Sequence, residues 1–144
     1  MKGTKKIFVD TNILVYAYDR DAGLKRDKAQ KIMTALWNQH IMPSISIQVL
    51  QELYVNLRKK NVPIHEAGEI IKDYLSWNVI ENTVYILTAG IHLSQQYCVS
   101  FWDALIIAAA QQSGANLLYS EDLNDGQIYG SVKVINPLKN HSVA

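Results

Sequence analysis

Residues 7–18 read IFVDTNILVYAY, and this segment indicates the architecture of the whole chain. Ile7–Asp10 is a short apolar run that ends in a turn signal, which is typical of a buried strand. The following residues, Asn12–Asp19, are apolar on nearly every face. We therefore expect a helix buried inside the domain or in a contact between subunits. A strand followed at once by a helix begins the alternation that favours an α/β fold.

The rest of the chain continues this alternation. We predict helices over residues 24–40, 45–60, 63–76, 84–97 and 101–112, and strands over residues 41–44, 79–80, 115–119 and 132–135. Strands that alternate with helices favour a parallel sheet covered by helices on both faces. The expected fold class is α/β, a three-layer α/β/α sandwich with a short parallel sheet, in a single domain spanning residues 1–144.

The composition is that of an ordinary globular protein: of 144 residues, 49% are hydrophobic and 19% are charged. The longest wholly apolar run, Ala104–Ala110, is far shorter than the roughly 20 residues that cross a bilayer. The apolar run behind the basic first residues is too short for a signal peptide. Because Cys98 is the single cysteine, no intrachain disulfide can form, and we expect a cytoplasmic protein without a membrane segment.

Charge is unevenly distributed along the chain, although the net charge is +1. Residues 1–60 carry 11 Lys and Arg against 5 Asp and Glu, whereas residues 61–144 carry 3 against 8. A basic half can attract a polyanion, and an acidic cluster can hold cations. The same distribution also fits two solvated faces that bind nothing, and charge alone does not choose between them.

Asp10 and Asp103 are the acids that most need an explanation. Asp10 follows a predicted buried strand, and it either caps the next helix or binds a metal ion while Thr11 and Asn12 position it or a water molecule. Asp103 is the only charge in the apolar helix over residues 101–112, where an uncompensated buried carboxylate is costly. Ser100 and Asp103 also have the spacing of a capping box, so capping and metal binding can coexist there.

Two further acids join them as candidates. Glu52 lies on the border of the inner face of its predicted helix, a position that suits either a ligand or an ordinary solvated side chain. Asp122 follows the predicted strand over residues 115–119, in a loop that also has good turn chemistry. Among Glu121, Asp122 and Asp125, the sequence does not single out one ligand. Ligands of parallel sheets bind beyond the carboxyl ends of the strands, where Asp10 and this loop fall.

The four acids together point to a hard divalent cation. They have no Lys or Arg in the same segments, and clustered carboxylates repel one another unless a cation lies between them. Oxygen ligands suit Mg²⁺ or Mn²⁺ rather than zinc. The histidines are scattered, and nucleophile-elbow, dinucleotide-binding and P-loop motifs are absent from the sequence.

Four segments, in this order and spacing, resemble the PIN-domain nucleases. They are FVDTNILVY around Asp10, SIQVLQEL around Glu52, SFWDALI around Asp103 and LLYSEDLNDG around Asp122. The resemblance covers residue 7 to about residue 137. It is closest to the short single-domain group that includes VapC-type toxins.

The resemblance implies a metal-dependent endoribonuclease that uses Mg²⁺ or Mn²⁺. Carried over by position, Asp10, Glu52, Asp103 and Asp122 match the four catalytic, metal-binding acids, and Asn12 and Ser120 match their polar supports. It also implies a homodimer, and it leaves open a toxin with an antitoxin partner, a solitary nuclease, or a noncatalytic PIN-like domain that binds RNA or protein. The basic residues expected to hold RNA, if they are not plain surface, are Lys25, Arg26, Arg58 and Lys59.

Overall fold

The computed structural model describes residues 5–139, so the first four and last five residues of the predicted domain lie outside it. The described residues form six strands and six helices. In chain order the elements are β1 (Ile7–Val9), α1 (Thr11–Tyr18), α2 (Leu24–Asn38), β2 (Ser44–Ser46), α3 (Ile47–Lys59), α4 (Ile64–Tyr74), β3 (Asn78–Ile80), α5 (Val84–Tyr97), α6 (Phe101–Gln112), β4 (Leu117–Tyr119), β5 (Ile128–Tyr129) and β6 (Val132–Ile135).

The strands form one sheet in the order β3-β2-β1-β4-β6-β5. Every neighbouring pair is parallel except β5 and β6, which are antiparallel. β1 is central: Phe8 pairs with Ser44 of β2 on one side and with Leu118 of β4 on the other. The order of the strands reverses between β1 and β4, and the crevice at such a reversal is where ligands of this fold class bind.

The helices cover both faces of the sheet, which confirms the predicted α/β/α sandwich. Connections between parallel strands are right-handed as a rule, and with this strand order the rule puts α1–α4, which connect β1 to β2 to β3, on the face opposite α5 and α6. Accordingly α1 packs against α2 and α3, and α5 packs against α6. Ile13 and Leu14 of α1 are fully buried, so the apolar character of this helix is largely explained by packing within the domain. No helix among the described residues is long and apolar enough to span a membrane.

Two predicted elements were wrong in detail. The strand predicted over residues 41–44 and the helix predicted from Ile45 are replaced by a strand over Ser44–Ser46 and a helix that begins at Ile47. The cause is Ser46, whose hydroxyl accepts a hydrogen bond from the Val49 backbone N–H and so caps α3. The antiparallel strand β5 was not predicted, because its two residues are too few to show a pattern.

The contact between α5 and α6 depends on a glycine. A Cβ atom added at Gly90 would lie 2.6 Å from Leu105 Cδ2, whereas one added at Gly68 in α4 would meet nothing within 4 Å. We expect Gly90→Val to destabilise the protein by about 1–3 kcal/mol through overpacking, and Gly68→Ala to stabilise it by about 0.5–1 kcal/mol through its higher helix propensity. Urea unfolding of both variants measures this, and equal effects would contradict the close packing.

Candidate active site

Asp10 lies at the carboxyl end of β1, where it also caps α1. Its Oδ1 accepts a hydrogen bond from the Thr11 backbone N–H at 2.7 Å, and its Oδ2 accepts one from the Ser120 hydroxyl at 2.8 Å. The residue is only 5% exposed. Burial, together with the negative charges of Glu52 and Asp122, raises the pKa of Asp10 from 3.8 to about 7, against the effect of these two hydrogen bonds.

Glu52 projects from α3 toward the first residue of α1. Its Oε1 accepts a hydrogen bond from the Thr11 hydroxyl at 2.5 Å, and its Oε2 accepts one from Gln48 Nε2 at 3.1 Å. The same amide nitrogen of Gln48 also donates to the Trp102 carbonyl of α6 at 3.3 Å. Gln48 therefore links the Glu52 carboxylate to the helix that carries Asp103. Nothing in the sequence pattern marked this glutamine as part of the site.

Asp103 lies in the first turn of α6 and is half-buried. Its backbone N–H donates to the Ser100 hydroxyl at 3.1 Å, so Ser100 caps the helix as its spacing predicted. Partial burial raises the pKa of the Asp103 carboxyl; contact with Ser100 opposes this, and the negative charges of Asp122 and Glu52 add to it. The backbone N–H of Asp103 thus belongs to the cap of α6, while the carboxyl group experiences the charges of Asp122 and Glu52.

The loop after β4 carries Glu121, Asp122 and Asp125, among which the sequence did not single out one ligand. Their contacts in the structure differ. The Glu121 carboxylate accepts hydrogen bonds from Tyr16 and Lys25, and Asp125 Oδ1 accepts one from the Asn136 backbone N–H at 2.9 Å. Asp122 is exposed, and its charge raises the pKa values of both Asp10 and Asp103. Of the three, Asp122 is therefore the one that interacts with the other acids.

Glu121 forms the polar anchor of this loop. Its Oε1 lies 2.5 Å from the Tyr16 hydroxyl and its Oε2 lies 2.7 Å from Lys25 Nζ, while its backbone N–H donates to Asn12 Oδ1 at 3.2 Å. Partial burial works to raise the pKa of Glu121, but the hydrogen bonds from Lys25 and Tyr16 outweigh it and hold the pKa below its usual value. Tyr16 was not among the predicted site residues.

The four acids have no cationic partner within the described part of the chain. Salt bridges among residues 5–139 involve other acids, namely Asp19, Glu69 and Glu121. Thr11 links Asp10 to Glu52 by two hydrogen bonds, and the charges of Glu52 and Asp122 raise the pKa values of both Asp10 and Asp103. We refer to Asp10, Glu52, Asp103 and Asp122 as the acidic cluster.

The PIN domain family matches residues 7–127 of the sequence. The chain belongs to the PIN domain family. No curated protein matches it. The fold of this PIN domain is also that of solved VapC toxins from toxin–antitoxin complexes, which bear out the resemblance seen in the sequence.

Three solved structures illustrate the similarity. A toxin–antitoxin complex from Klebsiella pneumoniae has a chain with 23% identity and a TM-score of 0.70, and the match covers 92% of this PIN domain and 98% of that chain. Mycobacterium tuberculosis VapC20, described as a sarcin-ricin loop cleaving toxin, has 20% identity, a TM-score of 0.67 and coverage of 81% and 90%. VapBC2 from Rickettsia felis, bound to a promoter DNA fragment, has 20% identity, a TM-score of 0.63 and coverage of 89% and 96%. At these identities the similarity establishes the fold.

The side chains of the acidic cluster fit a hard cation in their chemistry. All the charged donors are carboxylate oxygens, and Asp10 is a buried carboxyl group without a cationic partner in the described chain. Within residues 5–139, however, no three His, Cys, Asp or Glu side chains converge closely enough to form a ready-made metal site. The donor set therefore suits Mg²⁺ or Mn²⁺, and shared coordination of one ion requires the acidic side chains to move closer to one another.

The predicted RNA-binding residues fall into three environments. Lys25 forms a salt bridge with Glu121. Arg58, near the end of α3, donates a hydrogen bond from Nη1 to the carbonyl of Val62 in the following loop. Arg26 and Lys59 both line a groove of about 1270 Å³ that runs between α2 and the loop joining α3 to α4, outside the acidic cluster. The Nε atom of Arg26 is buried there without a hydrogen-bond partner. Of the four basic residues, these two line the same groove, together with the acids Asp19, Asp21 and Glu66.

Proposed function

We propose that this PIN domain is a metal-dependent endoribonuclease that hydrolyses RNA phosphodiester bonds. The observation that carries the proposal is the buried Asp10 carboxyl group, which lies beside the charges of Glu52 and Asp122 without a cation to offset them. A cluster of this kind costs stability in the absence of an ion and gains it when one binds. Membership of a family whose members are typically nucleases gives further support.

The residues divide into ligands and supports. Asp10 and Asp103 would hold Mg²⁺ or Mn²⁺, together with Glu52 and Asp122. When bound, the ion supplies a Lewis acid that activates water and offsets charge on the phosphate. Ser120 and Thr11 fix the orientations of the Asp10 and Glu52 carboxylates through their hydroxyl groups, and Asn12 holds the loop that precedes Asp122.

RNA is the proposed substrate because one relative of the same fold is described as a sarcin-ricin loop cleaving toxin, and because Arg26 and Lys59 line one groove. We propose that these two residues contact RNA phosphates. Arg58 donates to the Val62 carbonyl and does not line this groove, so it does not support the proposed contact with RNA.

Toxin–antitoxin complexes among the structural relatives support a partner as well. We propose that the chain acts in the cytoplasm as a single domain, forms a homodimer, and pairs with a cognate antitoxin as the toxin of a toxin–antitoxin system. A noncatalytic PIN-like domain that binds RNA or protein is the competing function.

A cleavage assay on mixed RNAs separates the two functions. The purified chain should produce defined fragments with Mg²⁺ or Mn²⁺, should stop with EDTA, and should resume when the metal is added in excess. RNA binding without cleavage under every metal condition would establish the noncatalytic function instead. Cleavage that continues in EDTA would contradict the role given to the acids.

A further inference from the structure

Glu121 lies in the loop after β4, which carries Glu121, Asp122 and Asp125 and which we call the acidic loop. It stands directly between two residues of the candidate site, Ser120 and Asp122. Ser120 donates to Asp10, Asp122 acts on Asp10 and Asp103 through its charge, and the Glu121 carboxylate points instead to Tyr16 of α1 and Lys25 of α2. The loop is thus attached through its side chains and its backbone to three different points of the fold.

The contacts of Lys25 within the protein are better explained by a structural role than by direct binding to RNA. Its Nζ atom lies 2.7 Å from Glu121 Oε2, 3.5 Å from the Tyr16 hydroxyl and 5.0 Å from the centre of the Tyr16 ring. Were Lys25 to leave for a phosphate group, Glu121 would become a further free carboxylate beside the acidic cluster and beside the approaching polyanion. That exchange removes one favourable charge pair and adds a repulsion.

We propose that Tyr16 and Lys25 are positioning residues that act through Glu121 to hold Asp122 toward the other acids. This inference rests on the proposed nuclease function. Because the Lys25 side chain is 50% exposed, its ion pair is expected to contribute little to global stability. Its effect is local. Three hydrogen bonds, two to the Glu121 carboxylate and one from its backbone to Asn12, restrict the loop that carries Asp122, whose carboxylate has no hydrogen-bond partner among residues 5–139.

A double-mutant cycle distinguishes positioning from RNA contact. We expect Lys25→Met to lower cleavage about tenfold, as is usual for residues that orient a metal ligand. In the Glu121→Gln background the same substitution should have less than about a twofold effect, because the group through which Lys25 acts is gone. A lysine that contacts RNA directly would lower cleavage by the same factor in both backgrounds, which would overturn the proposal.

RNA affinity gives a second readout that does not need cleavage. In an Asp103→Asn background, the dependence of binding on salt should be unchanged by Lys25→Met. Loss of a phosphate contact would instead reduce the slope of log K against log salt by about 0.7 for single-stranded RNA. Lys31→Met, an exposed lysine of the same helix, is the matched control.

Amide hydrogen exchange tests the loop itself. The N–H groups of Glu121 and Leu123 donate to Asn12 and Ser120, and both should exchange several-fold faster in Tyr16→Phe and in Lys25→Met than in Lys31→Met. Unchanged exchange would refute the positioning role whether or not the chain cleaves RNA. Faster exchange in a protein whose wild type cleaves no RNA would refute the nuclease function and leave the anchoring of the loop supported.

Discussion

Replacing Asp103 by asparagine is expected to lower RNA cleavage by more than about a hundredfold, since loss of a residue that merely orients a metal ligand already costs about 10–100-fold. The substitution removes a negative ligand from the acidic cluster and keeps the shape of the side chain. The cap of α6 is also kept, because Ser100 Oγ accepts its hydrogen bond from the Asp103 backbone N–H, which the substitution leaves in place. RNA affinity should therefore persist when cleavage is lost.

Asp125→Asn is the matched control for this variant. Asp125 lies in the same acidic loop as Asp122, but its Oδ1 accepts a hydrogen bond from the Asn136 N–H, which an asparagine oxygen can also accept. We expect cleavage by Asp125→Asn to stay within about twofold of the wild type. Cleavage by Asp103→Asn at the wild-type level, from protein purified in the same way, would show that this acid has no part in the chemistry.

The stability of Asp103→Asn separates the two roles of the residue. Because burial and the neighbouring carboxylates raise the pKa of Asp103, its ionised form is unfavourable in metal-free buffer. The variant should be as stable as the wild type or more stable. A loss of several kcal/mol would indicate that capping is the main role of the side chain.

The second large effect concerns pH. In metal-free buffer, the wild type should lose stability as the pH rises from about 4 to about 7, and Asp10→Asn should lose less. The pKa of Asp10 is 3.8 when unperturbed and about 7 in the folded protein. Between these values the folded state binds more protons than the unfolded state, so the free energy of unfolding falls as pH rises. The difference of about 3 pH units corresponds to at most about 4 kcal/mol.

Other groups with shifted pKa values either add to this effect or act at lower pH. The raised pKa of Asp103 acts in the same direction, whereas the lowered pKa values of Asp19 and Glu121 favour folding as the pH rises at more acidic values, below about pH 4.5. Chemical unfolding in EDTA at pH 5, 6, 7 and 8 measures the effect for both proteins. Parallel curves for the wild type and Asp10→Asn would show that Asp10 does not titrate as described, and added Mg²⁺ should flatten the wild-type curve.

The sequence was sufficient wherever a local pattern determined the structure. The helices over residues 84–97 and 101–112 and the strand over residues 132–135 occur as predicted, because each is a long or clearly bounded apolar pattern. The placement of Asp10 and the 120–122 loop at the carboxyl edge of the sheet also followed from the alternation of strands and helices.

What could not be predicted depends on contacts between distant residues. Tyr16 and Glu121 are 105 positions apart, and Gln48 and Trp102 are 54 positions apart, so no window of sequence contains both partners. For the same reason the choice among Glu121, Asp122 and Asp125 needed the structure: each acid is equally suitable for the loop until its partner is known. Ile45 was assigned to a helix because its spacing fits one, and only the cap at Ser46 shows where the strand ends.

Asp10 joins two duties in one side chain, and this has an evolutionary consequence. Asparagine caps helices as well as aspartate does, and at this position its oxygen can still face the Thr11 N–H and its amide can face Ser120. A single base change in the codon would therefore remove the negative charge that we propose as a metal ligand while preserving, or even strengthening, the fold. The stability of the domain thus does not by itself require an aspartate at this position.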